Sequence, residues 1–306
     1  MAAVEAQAGV LVPGSRRTRI PGLWRLRRFA RRQPLGAASL VVIAVLVFAA
    51  VFAEAPFMRT TDPKEFGSDI LVGPSGAHWF GTNRNGQDLY SRVVYGARPS
   101  LLVGSATVLI SVIGGTVLGL LAGYLGRAVD TVISRLAEVL LSFPAILFGL
   151  VVATWLGPGL RSVIIAISII FTPVIMRIIR GGVLMERHRM YVEAARVIGC
   201  SETRVMFRHI LPNIGPLVIV VASTTLPAAI LAESALTFLG VGLPLGEPSW
   251  GNDLGPQARA YFNTAWWLAV FPGLALSLTV LAFNLLGDAL RDELDPRLRG
   301  SGLGEG

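Results

Sequence analysis

Long apolar runs, nearly free of charge, alternate with short polar connectors along most of the chain. The runs extend from Leu35 to Phe52, Pro99 to Leu125, Val132 to Trp155, Ser162 to Ile179, Ile214 to Phe238 and Trp266 to Leu286. Each is long enough for an α-helix, rising about 1.5 Å per residue, to cross a hydrocarbon core ~30 Å thick. The pattern predicts an all-α polytopic membrane protein with six transmembrane helices. Pro173 predicts a kink in the fourth run, because a proline removes a backbone donor and crowds the preceding turn. Pro216 and Pro227 interrupt the fifth in the same way. In the second run, Gly115, Gly119 and Gly123 recur every four residues, a small-residue spacing that lets two helices approach closely.

The connectors differ in charge. Arg16, Arg17, Arg19, Arg25, Arg27, Arg28, Arg31 and Arg32 crowd the segment before the first run against one acid, Glu5. Arginines also mark the segment between the fourth and fifth runs. Basic connectors stay on the cytoplasmic side, so both termini and the 187–213 connector are expected inside. The segments Glu54–Arg98 and Gly240–Thr264, mixed or nearly neutral, are expected outside. Trp24 to Arg32 is expected to lie as an amphipathic helix on anionic headgroups. A cleaved signal peptide is not expected, since the first apolar run begins late and lacks a small-x-small cleavage site. Asn83, Asn85 and Gly86 predict a turn. Trp79, Phe80 and Tyr90 are aromatics of the interfacial kind, so His78 to Gly104 reads as an interface-packed loop. The chain thus divides into a basic tail 1–34, a first helix with a long outer loop 35–98, a helical core 99–290 and a short tail 291–306.

Composition narrows the function classes. The 306 residues are 53% hydrophobic and 15% charged, against about 25% charged in soluble domains. The net charge of +8 does not point to nucleic acid, because the charges are confined to the connectors. Cys200 is the single cysteine, so no disulfide can form within the chain. Lys64 is the single lysine and no glycine-rich loop precedes it, which excludes a Walker A phosphate loop. If ATP drives the process, a partner holds it. His78 falls outside, while His188 and His209 fall inside. With Cys200 they cannot converge into a zinc set. No catalytic constellation is legible, so the chain does not read as an enzyme.

The most structured connector is Tyr191 to Asn213. Glu193, Ala194, Ala195, Arg196 and Val197 suit a helix, and Gly199 supplies a left-handed residue that ends it. Ser201 can cap a second helical half, which Pro212 and Asn213 stop. Such a helix–turn–helix serves either as a solvated connector or as a knob inserted into a soluble partner. Charges inside the apolar runs are costly and so draw attention. Glu138 is expected to pair with Arg135 at i, i−3. Glu233, beside Ser234 and Thr237, either lines a passage or bonds neighbouring helices.

These residues carry a resemblance. Glu193-Ala194-Ala195, Gly199 after three further residues, and Leu211-Pro212 resemble the cytoplasmic loop of permease subunits from binding-protein-dependent ABC importers. That family's usual form has isoleucine at the position of His209. RHILPN, as it stands here, is similar to the oligopeptide/dipeptide/nickel branch. HWFGTNRNGQDLYSR from His78, GEPSWGNDLG from Gly246 and DPRLRG near the end resemble segments of the same branch. The resemblance implies a five-helix permease core preceded by an additional N-terminal helix, in the bacterial inner membrane. It implies that Glu193, Ala194, Ala195, Gly199, Ser201, Leu211 and Pro212 belong to a coupling helix docking on an ATPase. Glu233, Ser234 and Thr237 become candidates for the translocation path. The implied partners are a second related permease, two ATP-binding subunits holding ATP and Mg, an external substrate-binding protein and membrane lipid. This chain itself would bind no cofactor, and peptides are the substrate class implied. The competing expectation is a secondary transporter or channel working without an ATPase. Such a protein wants broken helices at matching positions of two repeated halves, and no repeat is visible.

Overall fold

The computed structural model describes residues 33–294. The basic tail through Arg32, its amphipathic stretch Trp24–Arg32 and the terminal DPRLRG segment lie outside the described residues. Ten helices are labelled below. α1 (Pro34–Val51) opens with proline at its first turn, where a missing N–H costs nothing. α2 spans Leu89–Leu125, 37 residues and so about 55 Å. A bent pair follows, α3 (Arg127–Leu141) and α4 (Ala145–Leu156), then the long α5 (Leu160–Glu186) and the short α6 (Met190–Val197). After an irregular helical stretch over 202–213 come α7 (Gly215–Phe238), the small α8 (Trp250–Leu254) and α9 (Pro256–Ala260), and finally α10 (Trp267–Leu294).

Five of these helices, α1, α2, α5, α7 and α10, are each long and apolar enough to cross a membrane, and the α3–α4 pair makes six if it counts as one span. The all-α polytopic expectation is met. The third span is not the continuous helix read from Val132 to Trp155. The chain turns by 90° between α3 and α4, because Pro144 has no N–H to continue the helix and disfavours helical geometry at Phe143. α3 also begins earlier than expected and carries Arg127, Asp130, Arg135 and Glu138. Arg135 Nη1 does donate to Glu138 Oε2 at 2.7 Å, on an exposed face.

The second span likewise begins ten residues before the expected Pro99. Asp88 caps it, its Oδ2 accepting from the Ser91 backbone N–H at 2.9 Å and from Ser91 Oγ at 2.8 Å. Pro99 then sits inside the helix, removing one backbone bond without ending it. The stretch Leu89–Arg98, read as loop, is therefore helical. Around the predicted turn, Asn83 Oδ1 accepts from the N–H groups of Asn85 and Gln87 at 2.9 and 3.0 Å, and Gly86 has a positive φ of 70°.

The bundle is organised by α2 against α5. An ideal Cβ on Gly115, Gly119 or Gly123 would lie within 2.9 Å of Ile175, Ile179 or Val183 respectively. The four-residue glycine spacing thus meets a four-residue row of β-branched side chains, ridge against groove. Below it, a buried cluster of Leu120, Tyr124, Val192, Val205, Ile210 and Ile214 joins the ends of α2 and α5 to α6 and to the 202–213 stretch. Gln33 Nε2 donates to Asp292 Oδ2 at 3.3 Å, which brings the start of α1 and the end of α10 together. α2, α5 and α10 run between that end, called here the α6 end, and an opposite end made of loops.

Gly119→Ala is expected to lower stability by about 1–3 kcal/mol through overpacking against Ile179 and the Met176 carbonyl. Gly114→Ala meets only ordinary contact, 3.5 Å from Thr172 Cγ2, and is expected to be neutral or slightly stabilising. Thermal unfolding of both variants in the same detergent, followed by far-UV circular dichroism, separates them. Equal midpoints would remove the glycine row from its organising role.

Candidate functional site

At the α6 end, the chain forms a short spur. α6 closes with a Schellman turn: the Cys200 N–H reaches the Ala195 carbonyl at 3.0 Å and the Gly199 N–H reaches the Arg196 carbonyl at 2.9 Å. Gly199 takes the left-handed conformation the sequence asked of it, with φ 80°. Ser201 occupies the N-cap position of the next helical turn, but its hydroxyl makes no capping bond. The second half does not stop at Pro212. It widens into a π-helical turn over Val205–Ile210, runs through Leu211–Asn213 and hinges at Ile214 into α7. A wide turn here accommodates a proline that cannot donate, and the Leu211 N–H bonds the Met206 carbonyl instead of the carbonyl one residue later.

The residues expected to act together are divided between two faces. Val192 and Ala195 point into the core cluster, and Leu211 packs on it half-buried. Glu193, Ala194, Gly199, Ser201 and Pro212 are exposed. The two alanines therefore do not thin one face together. Ala195 lets α6 lie against its own bundle, while Ala194 keeps the outer side low. Beside them, Met190, Val197 and Ile198 are 85%, 87% and 78% exposed, a density of solvent-facing apolar side chains on one short helix.

The spur is fastened to the long helices by polar contacts. The Arg196 guanidinium lies 5.1 Å above the Tyr124 ring at the end of α2, with Nε 3.3 Å from the phenolic oxygen. Tyr191 Oη donates to Glu186 Oε2 at 2.7 Å. Burial, reinforced by this bond to a carboxylate, pushes the Tyr191 hydroxyl above its ordinary range. Arg187 Nη1 donates to the Gly123 carbonyl at 3.0 Å. Arg180 grips Asp130 with two bonds of 2.5 and 2.6 Å, tying α5 to α3.

The loop end is held by charges that sequence reasoning missed. Arg92, almost wholly buried, donates from Nε to Asp253 Oδ1 at 2.6 Å. Its remaining nitrogens reach the carbonyls of Pro63, Gly246 and Glu247 and the Gln87 amide oxygen at 3.0–3.3 Å. One guanidinium thus joins the loop after α1, the start of α2 and the loop after α7. Burial pushes the Asp253 carboxyl up from its ordinary range, against the opposing pull of Arg92.

The GEPSWGNDLG segment is legible residue by residue from this geometry. Ser249 Oγ donates to Glu233, Trp250 Nε1 donates to the Val93 carbonyl at 2.9 Å, and Asn252 Nδ2 bonds the Pro244 and Glu247 carbonyls at 3.0 Å each. Gly251 passes so close to α7 that an added Cβ would lie 2.6 Å from the Ser234 carbonyl oxygen. Glu233 is fully buried and surrounded by hydroxyls. Its Oε2 accepts from Ser100 at 3.0 Å and Ser234 at 3.2 Å, and its Oε1 accepts from Thr237 at 3.1 Å and Ser249 at 3.4 Å. Of the two expectations for Glu233, bonding between neighbouring elements is the one the structure displays. The HWFGT segment packs inward too: Phe80 stacks on Phe271 at 4.1 Å, and Trp267 Nε1 donates to the Thr82 carbonyl at 3.1 Å.

Among the described residues, no three His, Cys, Asp or Glu side chains come together as a metal site. A bundle of membrane-crossing helices with a solvent-facing spur at one end and a packed loop layer at the other defines an integral membrane protein. Residues 115–300 match the family described as the binding-protein-dependent transport system inner membrane component, and the chain belongs to that family. It is similar to the dipeptide transport system permease protein DppC of Alkalihalophilus pseudofirmus, 40% identical over 270 residues that cover 88% of each chain. It is similar as well to the di/tripeptide transport system permease protein DppC of Pseudomonas aeruginosa, 41% identical over 268 residues, 85% of this chain and 88% of that one. The glutathione transport system permease protein GsiD of Pectobacterium atrosepticum is 40% identical over 279 residues, covering 90% and 92%.

Arg92→Met is expected to cost about 3–5 kcal/mol, because it strands the Asp253 carboxylate in a buried site. Combining it with Asp253→Leu is expected to recover at least half of that loss. Thermal midpoints of the two purified variants provide the comparison, and a single variant as stable as the parent would show that the buried pair does not hold the loop layer.

Proposed function

We propose that this chain is the permease subunit of an ATP-driven importer for di- or oligopeptides. It supplies half of a translocation path and transmits the motion of ATPase subunits to that path. The observation that carries the reading is the α6 spur. Its exposed Glu193, Ala194, Gly199 and Ser201, together with Met190, Val197 and Ile198, form a protruding surface with apolar side chains in water. Its buried side is locked to the ends of α2 and α5. A force applied to this spur reaches the long helices without passing through a flexible joint. The spur docks in a groove of an ATP-binding subunit, which holds the ATP and Mg that this chain does not.

The partners under this reading are a second related permease, two ATP-binding subunits and an external substrate-binding protein. The α6 end faces the cytoplasm with both termini, in keeping with its arginines, and the Arg92 end faces outward. The three relatives are named for dipeptides, di- and tripeptides and glutathione, all small solutes with peptide bonds, which favours that substrate class. Glu233, Ser234 and Thr237 serve the path from behind its wall, holding α7 to α2 and to the external loop.

Gly199 tests the coupling reading. Nothing lies within 4 Å of a Cβ added there, so a substitution acts through the backbone alone. Gly199→Val puts a β-branched residue at a left-handed position, at a cost of about 1–3 kcal/mol. Copurification of the ATPase from native membranes in mild detergent is expected to fall roughly tenfold or more. Membrane insertion should be intact, and Gly199→Asn, which tolerates that conformation, should retain the partner. Full ATPase recovery and transport with Gly199→Val would defeat the docking role, and transport by the purified chain without ATP would return the protein to the secondary transporters.

A further inference from the structure

A cavity of about 830 Å³ opens at the loop end, apart from the spur and bordering the Arg92 cluster, with which it shares Pro63 and Glu247. It lies where four connections meet: the segment after α1, the first turns of α2, the α4–α5 turn at Gly159 and the loop from Leu243 to Pro248. That volume suits a small organic solute. Its charge is what selects among such solutes. Arg98 Nη1 donates to Glu54 Oε1 at 2.7 Å, and Lys64 Nζ donates to Glu247 Oε1 at 2.7 Å. Asp62 adds a third acid, and the Tyr95 ring lies 5.0 Å from the Arg98 guanidinium.

Both ion pairs are open to water, with side-chain exposures of 37% and 73% in one and 55% and 42% in the other. Exposed pairs of this kind contribute little to stability, so each is readily exchanged for a pair with a ligand. Arg98 keeps its place during such an exchange, because Nε and Nη2 are bonded to the Ala50 and Val51 carbonyls at the end of α1. Lys64 is likewise placed by its own backbone N–H, bonded to Asp62 Oδ1 at 2.9 Å. A molecule bearing one ammonium and one carboxylate can insert into one of these pairs, its ammonium on the acid and its carboxylate on the base, and leave no charge without a partner. A molecule with neither gains nothing from displacing them.

We propose that this cavity is a permease-borne subsite for a small zwitterionic peptide. The peptide ammonium and carboxylate are taken by the two members of one pair, Glu54 and Arg98 or Glu247 and Lys64. The inference rests on the peptide reading above and adds the place where this subunit itself meets the solute. The test is calorimetric titration of the assembled permease–ATPase complex in lipid nanodiscs, without the external binding protein. The probes are alanyl-alanine and N-acetyl-alanyl-alanine amide. Alanyl-alanine is expected to bind and the blocked compound to bind at least fivefold more weakly. One of Glu54→Gln and Glu247→Gln, the one that removes the acid taking the ammonium, is expected to weaken alanyl-alanine about fivefold, and both are expected to leave thermal midpoints and the response to the blocked compound unchanged. Equal binding of the two probes, no binding of either, or indifference to both substitutions overturns the subsite. Import of labelled alanyl-alanine into proteoliposomes with the binding protein present is measured in parallel. Import without nanodisc binding overturns the subsite alone, whereas loss of import under all conditions overturns the peptide reading and the subsite with it.

Discussion

The approach of α2 to α5 is the constraint on which the rest of the structure depends. Three glycines on α2 take a row of β-branched side chains on α5 at backbone distance, and in lipid such packing replaces the hydrophobic drive that water would supply. α2 runs from the loop end to the α6 end as one 37-residue helix. Whatever fixes α2 against α5 therefore fixes both ends of the subunit at once: Arg92 near its first turn, Tyr124 near its last. The spur gains its rigidity from this contact, since α6 packs on the cluster that the two helices share.

Charge is treated differently in the two regions. At the loop end, Arg92 and Asp253 are almost fully buried and paired with each other, and Arg92 also donates to backbone carbonyls of two loops, those after α1 and after α7. A buried pair of this sort adds little net stability over apolar residues of the same shape, but it penalises every arrangement in which one partner is lost. It specifies the loop layer more than it strengthens it. Glu233 meets the same demand without a cation, its four acceptor bonds filled by hydroxyls from α2, α7 and the α8 lead-in. In the cavity wall, by contrast, the Glu54–Arg98 and Lys64–Glu247 pairs face water, where exchange is cheap. Fixed pairs build the scaffold, and the exposed pairs remain open to exchange.

Local signals in the chain governed local outcomes. Apolar length determined that the chain crosses a membrane and where most of its helices lie, because 18 or so uncharged residues have few other stable uses. Gly199 ended α6 with a positive φ as its lack of a side chain allows, and the glycine row of α2 became a helix contact as its spacing implied. The errors came where two local signals competed. Pro99 looked like a start, but the Asp88 cap eleven residues earlier prevailed. The apolar run from Val132 to Trp155 looked like one span, but with Pro144 inside it and the charged α3 before that, the chain turned by 90°.

What the sequence by itself determined was the class of protein, the helical spur and the family to which its motifs belong, since each is written in periodicity, punctuation or a contiguous string of residues. What only the tertiary structure decided was which distant residues meet. Arg92 and Asp253 stand 161 positions apart, Glu233 gathers donors from three segments, and Ala194 and Ala195, adjacent in the chain, face opposite environments. No spacing rule predicts such encounters, because a side chain's partner in a bundle is set by how whole helices pack, and that geometry exists only once the chain has folded.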